Sequence, residues 1–294
     1  MMNETLGSKI KRIRKQHQLT QRQLADGICT QALISMFESD ETIPSSLVLY
    51  KISQKLNVTL NYFFEDPKPS EKVASQENES FAIIRRLFAS NEFSMAANIV
   101  DDELKKDYTG NSRAFLMWHK GVCEAEIEKN LESSLSYIEE ALELVEQDDE
   151  LIVSILNSKA NIYYDHIDMF EAKHIYEDAL AIIEASTTIS SMIYKKVLFG
   201  ISRTNLKLES IEESLSACQK AIDISLKEES LALLGQLLFQ QGRIYYHVSD
   251  YEQAAHSFTK AKVIFELEEK EEFLSICDIN LNAAIDKLKE NVPL

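Results

Sequence analysis

Small and large residues return on a fixed schedule through the C-terminal part of this chain. Large apolar residues stand at Phe93, Leu131, Met169, Ile211 and Tyr251, at steps of 38, 38, 42 and 40 residues. Three residues after each comes a small one: Ala96, Ser134, Ala172, Ser214 and Ala254. Ten after each come Glu103, Ala141, Ala179, Ala221 and Ala261. Positions seven apart lie on one helix face, two turns from each other. Small side chains there let a neighbouring helix come close, and the large residue fills the remaining gap.

A period near 40 holds two helices and their turns. This is the logic of tetratricopeptide repeats, whose usual period is about 34 residues, so slightly longer helices or loops are expected. Five helical pairs follow, closed by a capping helix from Glu271 to Glu290 with Phe273, Ile276, Leu281, Ile285 and Leu288 on its apolar face. Composition agrees. Gly (7) and Pro (4) are scarce and 45% of residues are hydrophobic, which favours helix over sheet. No apolar run approaches the ~20 residues of a membrane span. The opening MMNETLGSKIKRIRKQ lacks the apolar stretch of a secretory signal. A soluble cytoplasmic protein, away from membranes, is the expectation.

The net charge of −17 is unevenly divided. Residues 1–66 hold eight Lys/Arg against seven Asp/Glu, leaving −18 for the rest. Within 1–37 six basic residues face two acidic ones. A small basic head on a large acidic body implies two domains with different partners.

The head reads as five short helices. Leu6, Ile10 and Ile13 place an amphipathic helix from Glu4 to His17, with Lys9, Lys11, Arg12, Arg14 and Lys15 on its other face. Thr20 and Gln23 have capping-box spacing and open a second helix. A third runs from about Thr30 to Glu38, a fourth from Ser45 to Leu56, and Thr59 caps a short fifth ending near Phe64. The motifs L-T-Q-x-x-L-A from Leu19, S-x-x-E-S from Ser35 and P-S-x-x-x-L-x-K-I from Pro44 resemble the Cro/C1-type helix-turn-helix repressors.

That resemblance implies a partner, double-stranded DNA, with the third helix in the major groove. Its early residues Thr30, Gln31, Ala32, Leu33, Ser35 and Met36 become the candidates for base contact. Gln31 stands out, because an amide donates and accepts at once, as adenine requires. Ala32 or Leu33 suits a thymine methyl. Gln21 and Arg22, opening the second helix, fit the phosphate-contacting position. The family often carries Arg where this chain has Met36. Glu38 reads as structural, pairing with a base in the first helix.

Residues 67–80, beginning Pro67-Lys68-Pro69-Ser70, read as a linker, since Pro cannot continue a helix. The domains are then 1–66 and 81–294. Repeat arrays expose a groove lined by the first helix of each pair. The register puts Arg85, Cys123, Asn161, Arg203 and Arg243 on one ring of that groove. His119, Asn157, Phe199 and Phe239 lie beside it, with Gln236, Tyr164 and Tyr246 near. Asn and Gln can pair with both groups of an extended peptide backbone, and Arg can clamp a carboxylate. The peptide-binding candidates are Arg85, His119, Asn157, Asn161, Tyr164, Arg203, Gln236, Phe239 and Arg243.

Head, linker and repeats together resemble the peptide-pheromone receptors of Gram-positive bacteria, the Rap/Rgg/NprR/PlcR/PrgX superfamily, and within it the phospholipase-C-regulator type. LGSKIKRIR from Leu6, ANIY from Ala160 and KAIDIS with LALLGQLLFQQG from Lys220 to Gly242 carry the likeness. It implies a homodimeric quorum-sensing transcription regulator switched by a short signalling peptide, with Asn161 gripping the peptide backbone. A peptide-independent repressor and an adaptor that binds a partner protein are the other readings. No enzyme is expected, because no phosphate loop, nucleophile elbow or metal signature occurs. Cys29, Cys123, Cys218 and Cys277 form no C-x-x-C pair and have no His at ligand spacing, so reduced thiols without metal or cofactor are expected. Cys123 in the groove also permits a redox role.

Overall fold

A computed structural model describes residues 5–16, 19–56, 63 and 79–290. Every regular element among them is helical. They fall into two compact units, Met1–Glu79 and Ser80–Leu294.

The first unit contains α1 (Leu6–Gln16), α2 (Gln21–Ala25), α3 (Gln31–Glu38) and α4 (Ser46–Lys55). Thr20 caps α2 as expected: its hydroxyl accepts from the Gln23 amide N–H at 3.2 Å, and its own N–H donates to Gln23 Oε1 at 2.8 Å. Thr30 and Ser45 cap α3 and α4 through their hydroxyls alone, accepting from the Leu33 and Val48 amides. Ile10 and Ile13 of α1 meet Leu24, Ile34, Phe37 and Ile52 in one buried core. The fifth helix expected from Thr59, residues 67–78 of the linker expected over 67–80, and the ends of the first helix at Glu4 and His17 lie outside the described residues; Glu79 and Ser80, the last two residues of that linker, belong to a helix.

The second unit is a stack of paired helices. The pairs are α5 (Glu79–Ala89) with α6 (Phe93–Leu104), α7 (Gly110–Cys123) with α8 (Leu131–Leu144), and α9 (Asp149–His166) with α10 (Met169–Ala185). They continue with α11 (Ser191–Lys207) and α12 (Ile211–Lys227), then α13 (Leu234–His247) and α14 (Tyr251–Leu267). Helix α15 (Glu271–Glu290) packs on α14 and ends the stack. The five large residues of the sequence schedule are the first residues of the five second helices. Asn130, Asp168 and Asp250 cap three of these helices by accepting from backbone N–H groups of their first turns.

The small residues do what their spacing predicts. Ala96, Ser134, Ala172, Ser214 and Ala254 have no exposed surface, and neither do Ala141, Ala179, Ala221 and Ala261. Glu103 breaks the pattern of alanines and is buried all the same. Its carboxylate accepts from Lys106 Nζ at 2.8 Å and Tyr108 Oη at 2.7 Å, which satisfies the charge. Along the stack, α7, α9, α11 and α13 pack against one another, while successive second helices do not pack as closely. The first helices therefore form the inner layer.

Candidate functional site

In the first unit, α3 offers one face to the core and the other to solvent. Ile34, Phe37 and Glu38 are buried; Thr30, Gln31, Ala32, Leu33 and Ser35 are exposed and Met36 is half-buried. Thr30 uses its hydroxyl to cap the helix, accepting from the Leu33 amide at 3.3 Å. A polar chain fixes the exposed end. Gln31 Nε2 donates to Gln21 Oε1 at 2.8 Å, and Gln21 Nε2 donates to Glu38 Oε2 at 3.0 Å. Glu38 in turn pairs with Arg14 of α1, the structural partner expected for it. Gln31 thus keeps its own oxygen and one N–H for a guest. Gln21, Arg22 and Gln31 border one recess between α2 and α3.

In the second unit, a cavity of about 590 Å³ opens on the first-helix layer. Four first helices line it: α5 through Arg85, α7 through Trp118 and His119, α9 through Asn157, and α11 through Lys196. Its floor is aromatic. The His119 ring lies 4.0 Å from Phe115, 4.2 Å from Trp118 and 4.4 Å from Phe88, centre to centre. Burial pushes the His119 pKa down to about 3, and Nδ1 lies 2.7 Å from the Phe115 carbonyl oxygen. The imidazole is neutral at physiological pH. Arg85 sits over the Phe115 ring at 5.0 Å. The acids on the rim are engaged: Asp148 caps α9, and Glu150 accepts from Ser190 Oγ at 2.6 Å.

Two residues that line this cavity each hold a polar atom closed off from solvent and without a hydrogen-bond partner, the donor Trp118 Nε1 and the acceptor Asn157 Oδ1. Leaving such groups unpaired costs about 1–3 kcal/mol each.

The nine groove candidates divide into three groups. Arg85, His119 and Asn157 gather at the cavity. Asn161, Tyr164 and Arg203 form a second cluster, where Arg203 lies over the Tyr164 ring at 4.2 Å and pairs with Asp165 at 3.2 Å. Tyr164 is covered by this cation and by Lys207, also 4.2 Å from its ring. Arg243 donates to Gln240 at 3.3 Å and borders a smaller cavity of about 330 Å³. Gln236 has a buried Oε1 without a partner, and Phe239 packs on Phe258 at 5.3 Å. Cys123 is a correction to the ring. It is buried, its Sγ faces the Phe93 carbonyl at 3.7 Å, and burial pushes its thiol up to about 12. A thiol that stays protonated does not serve as a redox sensor.

Trp118, Ser154 and Lys196 line the cavity without having been singled out from sequence. A signal existed. Ser154, Lys196 and Gln236 share one register, fifteen residues before Met169, Ile211 and Tyr251.

Residues 84–281 match the RNPP family C-terminal domain, and residues 10–63 match a helix-turn-helix. The chain belongs to the RNPP family. Among solved structures, the RNPP chain is similar to PlcR of Bacillus thuringiensis in complex with the peptide PapR7 and DNA. That match has 28% identity over 93% of this chain and 99% of the other, with a TM-score of 0.66. PlcR in its apo form gives 25% identity over 93% and 98%, with a TM-score of 0.62. ComR from S. thermophilus, in complex with DNA and its signalling peptide ComS, has 13% identity over 95% and 99% and a TM-score of 0.51, a likeness of fold. No curated protein matches the RNPP chain by sequence. Among the described residues, no helix is long and apolar enough to cross a membrane, and no group of three His, Cys, Asp or Glu could hold a metal ion.

Proposed function

We propose that this protein is a quorum-sensing transcription regulator whose hold on DNA is set by a short signalling peptide bound to the first-helix layer. The carrying observation is the cavity that four successive first helices share, lined by Arg85, Trp118, His119, Asn157 and Lys196. The PlcR structure, at 28% identity, holds both a peptide and DNA.

In this reading residues 1–66 read DNA, 67–80 connect, and 81–294 are tetratricopeptide-type repeats that bind the peptide and dimerise. Gln31, Ala32, Leu33, Ser35 and Met36 face bases. Gln21, Arg22 and the amides near Thr30 face phosphates, which fix register without reading sequence. Arg85, His119, Asn157, Asn161, Tyr164, Arg203, Gln236, Phe239 and Arg243 line the path of the peptide. A homodimer places two heads on a two-fold site in cytoplasmic DNA. The peptide acts by population shift, binding one arrangement of the stack better than another.

The test uses full-length protein and an operator selected from random duplexes. A synthetic library of short linear peptides is selected on the protein, and DNA affinity is measured with and without the best binder. A change in DNA affinity that Asn157→Leu removes supports the reading. A library without a binder, or a binder without effect on DNA, defeats it and favours a peptide-independent repressor.

A further inference from the structure

Asn161 has its side-chain oxygen already engaged. Tyr176, on the second helix α10, donates its hydroxyl to Asn161 Oδ1 at 2.8 Å across the interior of the pair. The Tyr176 side chain is 1% exposed. Burial raises its phenol above the ordinary value, so the hydroxyl keeps its proton. A freely turning asparagine offers a guest either its oxygen or its amide group, which are nearly equal in shape. Here the oxygen is turned toward Tyr176, which leaves the two Nδ2 hydrogens on the side away from that hydroxyl.

The reach of Tyr176 depends on a gap in α11. A Cβ added at Gly200 would lie 2.2 Å from Cζ of the Tyr176 ring and 2.5 Å from its hydroxyl oxygen. A buried ring has nowhere to retreat, so any side chain at 200 displaces it. Gly200 and Tyr176 together thus carry a hydroxyl from the second-helix layer to the first.

Two cations lie over the Tyr164 ring of this cluster, Arg203 and Lys207. The nearby Arg203 is paired with Asp165.

We infer that Tyr176 is a positioning residue, which holds Asn161 as a hydrogen-bond donor to a backbone carbonyl of the bound peptide. The inference rests on the proposed peptide site and adds which way its central amide points and what fixes it.

The experiment measures calorimetric affinity of the full-length protein for the best library peptide selected on the wild type. Tyr176→Phe keeps the ring and removes one oxygen. Asn161→Asp keeps an acceptor for Tyr176 and removes the donor. Both substitutions should weaken binding by about tenfold, the scale of one lost hydrogen bond. In an Asn161→Ala background, Tyr176→Phe should cause no further loss, because its effect runs through that amide. Peptide-free DNA affinity and melting temperature should stay close to wild type in Tyr176→Phe. Wild-type affinity in Tyr176→Phe or in Asn161→Asp, with Asn161→Ala weakened, overturns the positioning role and leaves the peptide site standing. An equal loss in the presence and absence of Asn161 assigns Tyr176 to packing alone and also overturns it. If Asn161→Ala and Asn157→Leu both bind as the wild type does, the peptide site itself falls.

Discussion

Arg14 and Glu38 face each other across the head, with Arg14 Nε 2.5 Å from Glu38 Oε1 and Nη2 2.9 Å from Oε2. The two residues are 8% and 6% exposed, so the pair is largely out of water. It ties α1 to the end of α3, and through Gln21 it reaches the exposed face of the head.

Removing one partner leaves the other stranded. Glu38→Ala should destabilise the head by about 3 kcal/mol, seen as faster amide exchange in α1 and α3 of the full chain. Burial acts to raise the Glu38 pKa, but hydrogen bonds from Arg14 and Gln21 and the charges of Arg14 and Lys11 outweigh it, so it lies below the ordinary carboxylate value. The stabilisation is therefore complete above roughly pH 4.3, the value in the unfolded chain, and is lost as pH falls through the lower folded value. Unchanged exchange in Glu38→Ala would remove the pair from the account of stability.

Gln31 is held by Gln21 and keeps an acceptor and a donor to offer. Gln31→Ala should weaken binding to the selected operator by about 1–3 kcal/mol and binding to random duplex by less. Anisotropy titrations on both DNAs decide it. Equal losses would show that Gln31 does not read bases.

His119 gives the second unit its own response to acid. Its folded pKa of about 3 lies below the ordinary 6.5 because it is buried. Below pH 6.5 the unfolded chain takes up a proton that the folded one refuses. Stability from this group is present above pH 6.5 and falls by about 1.4 kcal/mol per pH unit down to pH 3. Denaturant titrations at pH 7 and pH 5 should show a drop that is smaller in His119→Leu. Parallel drops in the two proteins would mean that this imidazole takes its proton while folded.

Gly242 inverts an ordinary rule. Alanine in a helix interior is about 1 kcal/mol better than glycine. A Cβ at Gly242, however, would lie 2.6 Å from the ring of Phe258, which has no exposed surface. Gly242→Ala should therefore destabilise the α13–α14 pair, by about 1–3 kcal/mol. A raised melting temperature would refute this.

Much of the fold was legible because helix packing writes itself into residue size. Alanine and serine at fixed offsets marked where helices touch, and the first residue of each second helix could be named from them. The head was legible for another reason: caps such as Thr20 and Thr30 are local, needing only residues three apart. The cavity was harder to see. Asn157 and His119 came from the register, and Lys196 shared that of Gln236, but Trp118 is aromatic, a type that does not declare which layer it faces. What sets its direction is the packing of α7 against α9, over distances that a repeat schedule does not encode. Cys123 shared the register of Asn161, yet lies beneath α6 because a small thiol packs where an amide would need a partner.

Four successive pairs contribute walls to one cavity, and in a stack of this kind each pair leans only on its neighbours. Each junction is then a separate joint with its own small play. A single molecule seated across α5, α7, α9 and α11 works as a splint, locking three joints at once, so even a modest ligand stiffens a length of protein far greater than its own.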